Sequence, residues 1–172
     1  DGFFNVYLAD RLKGVEELER FNVNLGFAYM VFGQFFGDIK KEPCLSHGNL
    51  AYSGKIMGLE GYGKVNDDWL PAFESFYNCN MHNNFNHTES ENFWMNKIKA
   101  LTEATNIEFD ADDRFTGQLE YDIAATSQRA FENVFLRYVE PYIEKYSDFP
   151  IILTGGCALN ILLNTRVKEL FN

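Results

Sequence analysis

The stretch IILTGGCALNILLNTRV, residues 151–167, decides how the rest of the chain is read. The apolar run before Gly155 predicts a buried strand, and the periodicity from Cys157 to Phe171 predicts an amphipathic helix. A strand ending in two glycines ahead of a helix brings bare backbone and unpaired helix N–H groups to one point, where an anionic ligand is favoured. Asn160, one turn in, offers hydrogen bonds to a sugar or a base. A plain tight turn would use Gly155 and Gly156 equally well, and this stretch alone leaves both readings open. The segment lacks G-x-G-x-x-G, so it is not a dinucleotide fingerprint.

Upstream, Ile123, Ala130, Val134, Tyr138 and Tyr142 share a helical face, and Pro141 is expected to break or bend that helix near its end. Asp112 and Asp113 suit its N-terminal cap, while Glu120 and Asp122 could face a site, although a solvated helix face is the more usual reading. Helix, strand and helix in that order is α/β organisation. ESENFWMNKIKALTEAT predicts a further helix, and the asparagine-rich residues 76–90 predict a surface loop. In that loop Cys79, His82 and His87 do not complete a zinc set.

SGKIMGLEGYGK, residues 53–64, predicts a short helical turn punctuated by Gly54, Gly58, Gly61 and Gly63. Such a density of glycine marks a backbone that bends sharply or is closely approached. Lys55 is a lone cation there, suited to a phosphate or carboxylate, or simply solvated. NLGFAYMVFGQFFG predicts a buried helix with Leu25, Tyr29, Phe32 and Phe36 at helical spacing and Gly37 as its C-cap. At the start, DGFFNVYLAD and VEELERF predict two strands joined through RLKG.

The 172 residues fit a single domain, 1–172, with no linker or repeat to divide it. A net charge of −10 argues against nucleic acid and anionic membranes as partners. No apolar run is long enough for a membrane helix. Cys44, Cys79 and Cys157 are odd in number and scattered, which favours a reducing compartment and hence the cytoplasm. Beginning at Asp1 without a methionine, the chain reads as a piece of a larger protein.

Three segments together carry a resemblance: DGFF at the start, GKIMGLEGYGK at 54–64 and LTGGCALNILLN at 153–164. In order and spacing they resemble the carbamoyltransferase family of the nodulation-protein-U and antibiotic O-carbamoyltransferase type. DIAATSQRAFENVF is similar to the helix that precedes that family's last motif. The resemblance implies an α/β fold, part of an actin-like ATPase domain of the hexokinase and heat-shock ATPase superfamily, with a mixed sheet flanked by helices.

It also implies an activity. A downstream domain would make carbamoyladenylate from ATP and carbamoyl phosphate. The amino-terminal domain would pass the carbamoyl group to a hydroxyl of a sugar-like or aminoglycoside-like acceptor, assisted by an iron-type divalent metal. By matching motif positions, Asp1 corresponds to a metal ligand, and Gly155, Gly156 and Asn160 to the segment that holds the adenosine part. Lys55, Met57 and Gly58 fall in the motif lining the same cleft. A homodimer of the parent is compatible with the resemblance.

Departures are Phe3-Phe4 in the first motif and Glu60-Gly61 where the family has Ala-Pro. The family's paired metal-binding histidines lie ahead of the Asp1 motif and its last metal-binding Asp beyond Asn172. The isolated piece is therefore expected to bind metal poorly and not to turn over. A sugar-kinase-like phosphotransferase and a non-catalytic nucleotide-binding module are the alternative readings.

Overall fold

The computed structural model describes residues 4–39, 51–78, 87–108 and 114–171, with side chains of the helix at 87–105 described from Asn92 onward. Phe4–Asp10 forms β1 and Gly14–Phe21 forms β2, an antiparallel hairpin as the alternating residues predicted. Asp10 Oδ1 accepts from the N–H groups of Leu12 and Lys13, each at 2.8 Å, and Gly14 at φ +87° completes the turn. Those two backbone donors hold the Asp10 carboxyl below its usual range. The open end of the hairpin lies on the core: Phe4 meets Phe135 at 5.1 Å and Phe21 meets Tyr138 at 4.5 Å between ring centroids.

Helix α1 is Leu25–Val31, started by Asn24, whose Oδ1 accepts from Phe27 N–H at 3.0 Å. It is shorter than the apolar spacing predicted. Phe32–Gln34 tightens into a 3-10 turn, and Phe36 then forms a parallel bridge with Phe115. Gly37 is not a helix cap, because its N–H donates to the Phe115 carbonyl at 2.9 Å. Phe32 and Phe36 stay buried, so the expected apolar face survives with a different backbone.

Ala51–Glu60 forms α2 and Leu70–Tyr77 forms α3. The latter takes the place of the start of the predicted loop. Its signal was Pro71 at the first turn followed by Phe73, Phe76 and Tyr77, all buried against the core. His87–Thr105 is α4. Cys79 and His82 lie outside the described residues, as does the side chain of His87.

Gly117–Lys145 forms α5, whose 29 residues make a rod of about 43 Å. It is the spine of the molecule, with α1, α2, α3 and the final helix packed on it. Residues 123–128 are buried without a break, so this half of α5 is enclosed on nearly all sides. Tyr29 and Tyr77 both place their rings on Phe131, at 5.2 and 5.9 Å, and Phe32 stacks on Phe73 at 5.6 Å. Pro141 does not end the helix, which runs a full turn further to Lys145. The N-cap is Thr116, four residues before the first-turn acid Glu120; Asp112 and Asp113 lie outside the described residues.

The predicted buried strand at 151–154 is the main correction. The segment has no regular secondary structure and no strand partner among the described residues, and Ile152 is 77% exposed. The described sheet is thus the two-stranded hairpin, in place of a mixed sheet. A strand forms only where another backbone edge satisfies its N–H and C=O groups, and β1 and β2 satisfy one another. After the glycines, Gly156–Leu159 makes a 3-10 turn and Ile161–Phe171 forms α6, with Leu163 and Val167 buried.

Candidate functional site

Gly155 adopts φ +85° and ψ −176°, a region open essentially to glycine alone. Its carbonyl accepts from Ala158 N–H at 3.1 Å, and the Cys157 carbonyl accepts from Asn160 N–H at 3.0 Å. A Cβ built on Gly155 or on Gly156 would meet nothing within 4 Å. The turn is therefore held by its own hydrogen bonds while both glycines face free space. Because the 3-10 turn intervenes, the α6 N-terminus starts five residues past Gly156 and does not abut it, unlike the direct junction that the sequence predicted.

Two anchors fix this turn. On one side Cys157 sits against α1, with Sγ 3.2 Å from where a Cβ on Gly26 would lie. Burial pushes the Cys157 thiol above its ordinary pKa. On the other side the Asn160 amide points into the core. Its Oδ1 accepts from Leu163 N–H at 2.9 Å, capping α6, and it pairs reciprocally with the Gln128 amide at 3.0 and 3.1 Å. Gln128 Oε1 also accepts from Tyr29 Oη at 2.7 Å, and Gln128 Nε2 donates to Glu132 Oε1 at 2.8 Å. Arg166 donates to the same Glu132 at 3.1 Å. Burial raises the Tyr29 hydroxyl well above its ordinary pKa, keeping it a donor.

The second glycine segment is built differently. Tyr52 and Ile56 bury one face of α2, and Gly33 comes so close to Tyr52 that a Cβ there would lie 2.6 Å from the Tyr52 Cβ. The opposite face carries Gly54, Lys55 and Gly58, all exposed, and neither glycine has an atom near its would-be Cβ. Met57 is half-buried between the two faces. Gly63 is the glycine here that backbone crowds: a Cβ would collide with the Tyr121 carbonyl. Residues 61–66 strap across α5, with Lys64 N–H donating to Asp122 at 2.8 Å and Asn66 N–H to Thr126 Oγ1 at 2.9 Å. Both glycine segments pack on α1 through their elements, so that helix is the common floor beneath them.

Glu120 is not on a solvated face. Its side chain is wholly buried, accepts from Asp38 N–H at 3.1 Å, and titrates at about 7 because burial disfavours its charge. The backbone N–H donors of Asp38 and Gly37 work against that rise without cancelling it. Spacing could have shown this, since Glu120 lies three and four residues before Ile123 and Ala124. Gln128 was missed for a similar reason: it shares the face of Ala124, Phe131 and Phe135, where a polar residue signals a buried hydrogen-bonded network.

Asp1 lies outside the described residues, and among the described residues no three His, Cys, Asp or Glu side chains converge on a point. The metal that the resemblance implies thus finds no fitting set of ligands among the described residues. No described helix is long and apolar enough to cross a membrane.

Comparison with known proteins adds to this geometry. The family described as Carbamoyltransferase N-terminus matches residues 7–171. "Nodulation protein U" of Rhizobium tropici is 24% identical over 161 residues, covering 91% of this chain and 28% of that protein. "Nodulation protein U" of Bradyrhizobium diazoefficiens is 22% identical over 149 residues, 84% of this chain and 26% of the relative. The chain spans about a quarter of the length of the curated relatives it matches. No solved structure matches it. With the family match running over nearly its whole length, the chain belongs to the carbamoyltransferase amino-terminal family.

Proposed function

We propose that the protein carrying this chain moves a carbamoyl group from carbamoyladenylate to a hydroxyl of a sugar-like or aminoglycoside-like acceptor. ATP and carbamoyl phosphate would be the sources of the carbamoyladenylate. The observation that carries this reading is the open glycine turn at Gly155–Gly156 inside a chain of the carbamoyltransferase family. In this reading the exposed backbone of the turn lies along the adenosine part, with Asn160 closing the segment. Lys55 and Gly58, with Met57 beside them, would face the same ligand from α2. An exposed ammonium among glycines without nearby atoms supports a contact to phosphate.

The work of these residues is binding and orientation. The acceptor oxygen bonds to the carbamoyl carbon, the bond from that carbon to the adenylate phosphate oxygen breaks, and the hydroxyl proton is released. Holding the adenylate still lowers the entropic part of that barrier. The fold proposed for the intact domain is the actin-like ATPase fold, with which helices flanking an N-terminal hairpin are compatible. The proposed setting is the cytoplasm, on the scattered odd cysteines; a homodimer and Asp1 as a metal ligand belong to the same reading.

The test is carbamoyl transfer by the full-length protein, given ATP, carbamoyl phosphate and a panel of sugars and aminoglycosides. A carbamoylated product is expected, and Gly156→Val is expected to abolish it by filling the space over the turn. Phosphoryl transfer to a sugar without any carbamoylated product would overturn the reading in favour of a kinase. Nucleotide binding without either reaction would leave a binding module.

A further inference from the structure

We propose that Gln128 is a positioning residue for the Gly155–Gly156 turn, acting through Asn160. The proposal rests on the reading of that turn as a nucleotide wall. Gln128 stands midway along α5 among apolar side chains, and its amide is fully used. Oε1 accepts from Tyr29 Oη at 2.7 Å and Asn160 Nδ2 at 3.0 Å, while Nε2 donates to Glu132 at 2.8 Å and Asn160 Oδ1 at 3.1 Å.

The orientation of each amide follows from its neighbours. Glu132 is a carboxylate held by Arg166 at 3.1 Å and approached by Arg129 at 3.7 Å, so it accepts and does not donate. Gln128 must therefore turn its NH2 group toward Glu132, which leaves Oε1 for Tyr29 and for Asn160. Asn160 in turn must present Nδ2 to Gln128 Oε1, which leaves Oδ1 to accept from Leu163 N–H at 2.9 Å. A flip of either amide would set oxygen against oxygen in a buried site.

This chain of donors ends at the glycines. With its side chain fixed, Asn160 sends its N–H to the Cys157 carbonyl, and Ala158 N–H holds the Gly155 carbonyl. No atom lies within 4 Å of where a Cβ on Gly155 or Gly156 would be, so no side-chain packing fixes them. Their position is set by the Ala158–Gly155 hydrogen bond and by the two anchors that follow, Cys157 against Gly26 and Asn160 against Gln128. A core that only needed filling would be served by leucine at 128. The amide is needed because it carries orientation from the core to the turn.

The test uses the full-length protein with ATP as probe and reads binding at the turn itself, as the ATP concentration that half-protects the amides of residues 157–160 from hydrogen exchange, alongside melting temperature, because a downstream domain that also takes ATP would contribute to a calorimetric titration. Gln128→Leu is expected to weaken ATP binding about tenfold and to speed exchange at Ala158 and Asn160, leaving the amides of residues 130–136 protected. Tyr29→Phe removes one hydroxyl while keeping the ring on Phe131, and is expected to weaken ATP binding about threefold with the fold intact. ATP affinity unchanged in both variants, or lost only together with the melting temperature, overturns the proposal. Gly156→Val separates the two layers. If it leaves ATP binding intact, the nucleotide reading itself falls; if it abolishes binding while both core variants are neutral, the positioning role alone falls.

Discussion

The two glycine segments of this chain use the same residue type for opposite reasons. At Gly63 the demand is space, because the strap lies directly on the Tyr121 carbonyl of α5. At Gly155 the demand is conformation, φ +85° with empty surroundings. Gly54, Gly58 and Gly156 meet neither demand and simply leave backbone bare. Glycine density in a sequence therefore does not identify a ligand site. What marks a candidate is backbone left bare of neighbouring side chains, as at the Gly155–Gly156 turn and along the exposed face of α2.

The contrast can be broken by substitution. Gly63→Ala is expected to have the largest effect, about 3 kcal/mol of destabilisation, because two stretches of backbone must separate. Gly155→Ala should cost less, about 2 kcal/mol, all of it backbone strain. Equilibrium urea unfolding of the two variants ranks them, and the reverse order would mean that the strap yields easily.

A pH-dependent effect sharpens the same comparison, because it belongs to the strapped half of α5. Glu120 keeps its proton in the native state up to about pH 7, whereas its ordinary carboxyl value is 4.5. Between those values the native state holds a proton that the unfolded chain has released, so stability falls as pH rises through the window and levels off above it. Glu120→Gln should flatten that slope in melting temperatures taken from pH 4.5 to 8. A slope identical to wild type would place the titration elsewhere.

The smallest effect is expected at the bare helix face. Gly54→Ala and Gly58→Ala should each raise stability by up to about 1 kcal/mol, since alanine relieves the entropic cost of glycine in a helix and meets no neighbour. If this face lines the nucleotide site, the same changes lower the ATP affinity read from hydrogen-exchange protection of the amides of residues 157–160 in the full-length protein. A gain in stability with unchanged affinity would remove Gly58 and its neighbours from the proposed site.

Much of the local structure was legible in the chain. The hairpin followed from alternation around RLKG, and the long helix followed from the spacing of Ile123, Ala130 and Val134. Helix α3 was legible but overlooked, because the asparagine-rich text after it masked Phe73, Phe76 and Tyr77. The residues 151–154 were misread for a physical reason: an apolar run states that a strand is favourable, but the partner edge is not written in the run itself. The early end of α1 was equally invisible, since it depends on the bridge from Phe36 to Phe115, nearly eighty residues away.

For the candidate site, sequence alone determined which residues were available. Gly155, Gly156 and Lys55 were named by type and spacing, Gly58 by the family resemblance, and the family by three motifs in order. Only the tertiary structure decided how each is used. It left Gly54, Gly58 and Gly156 bare, committed Gly63 to packing, and turned the Asn160 side chain inward to Gln128. The division has a simple cause. Periodicity and turn chemistry act over a few residues and are carried by the local chain, whereas a hydrogen bond between Asn160 and Gln128, or a contact of Gly63 with Tyr121, exists only once the long helix has brought distant backbone together.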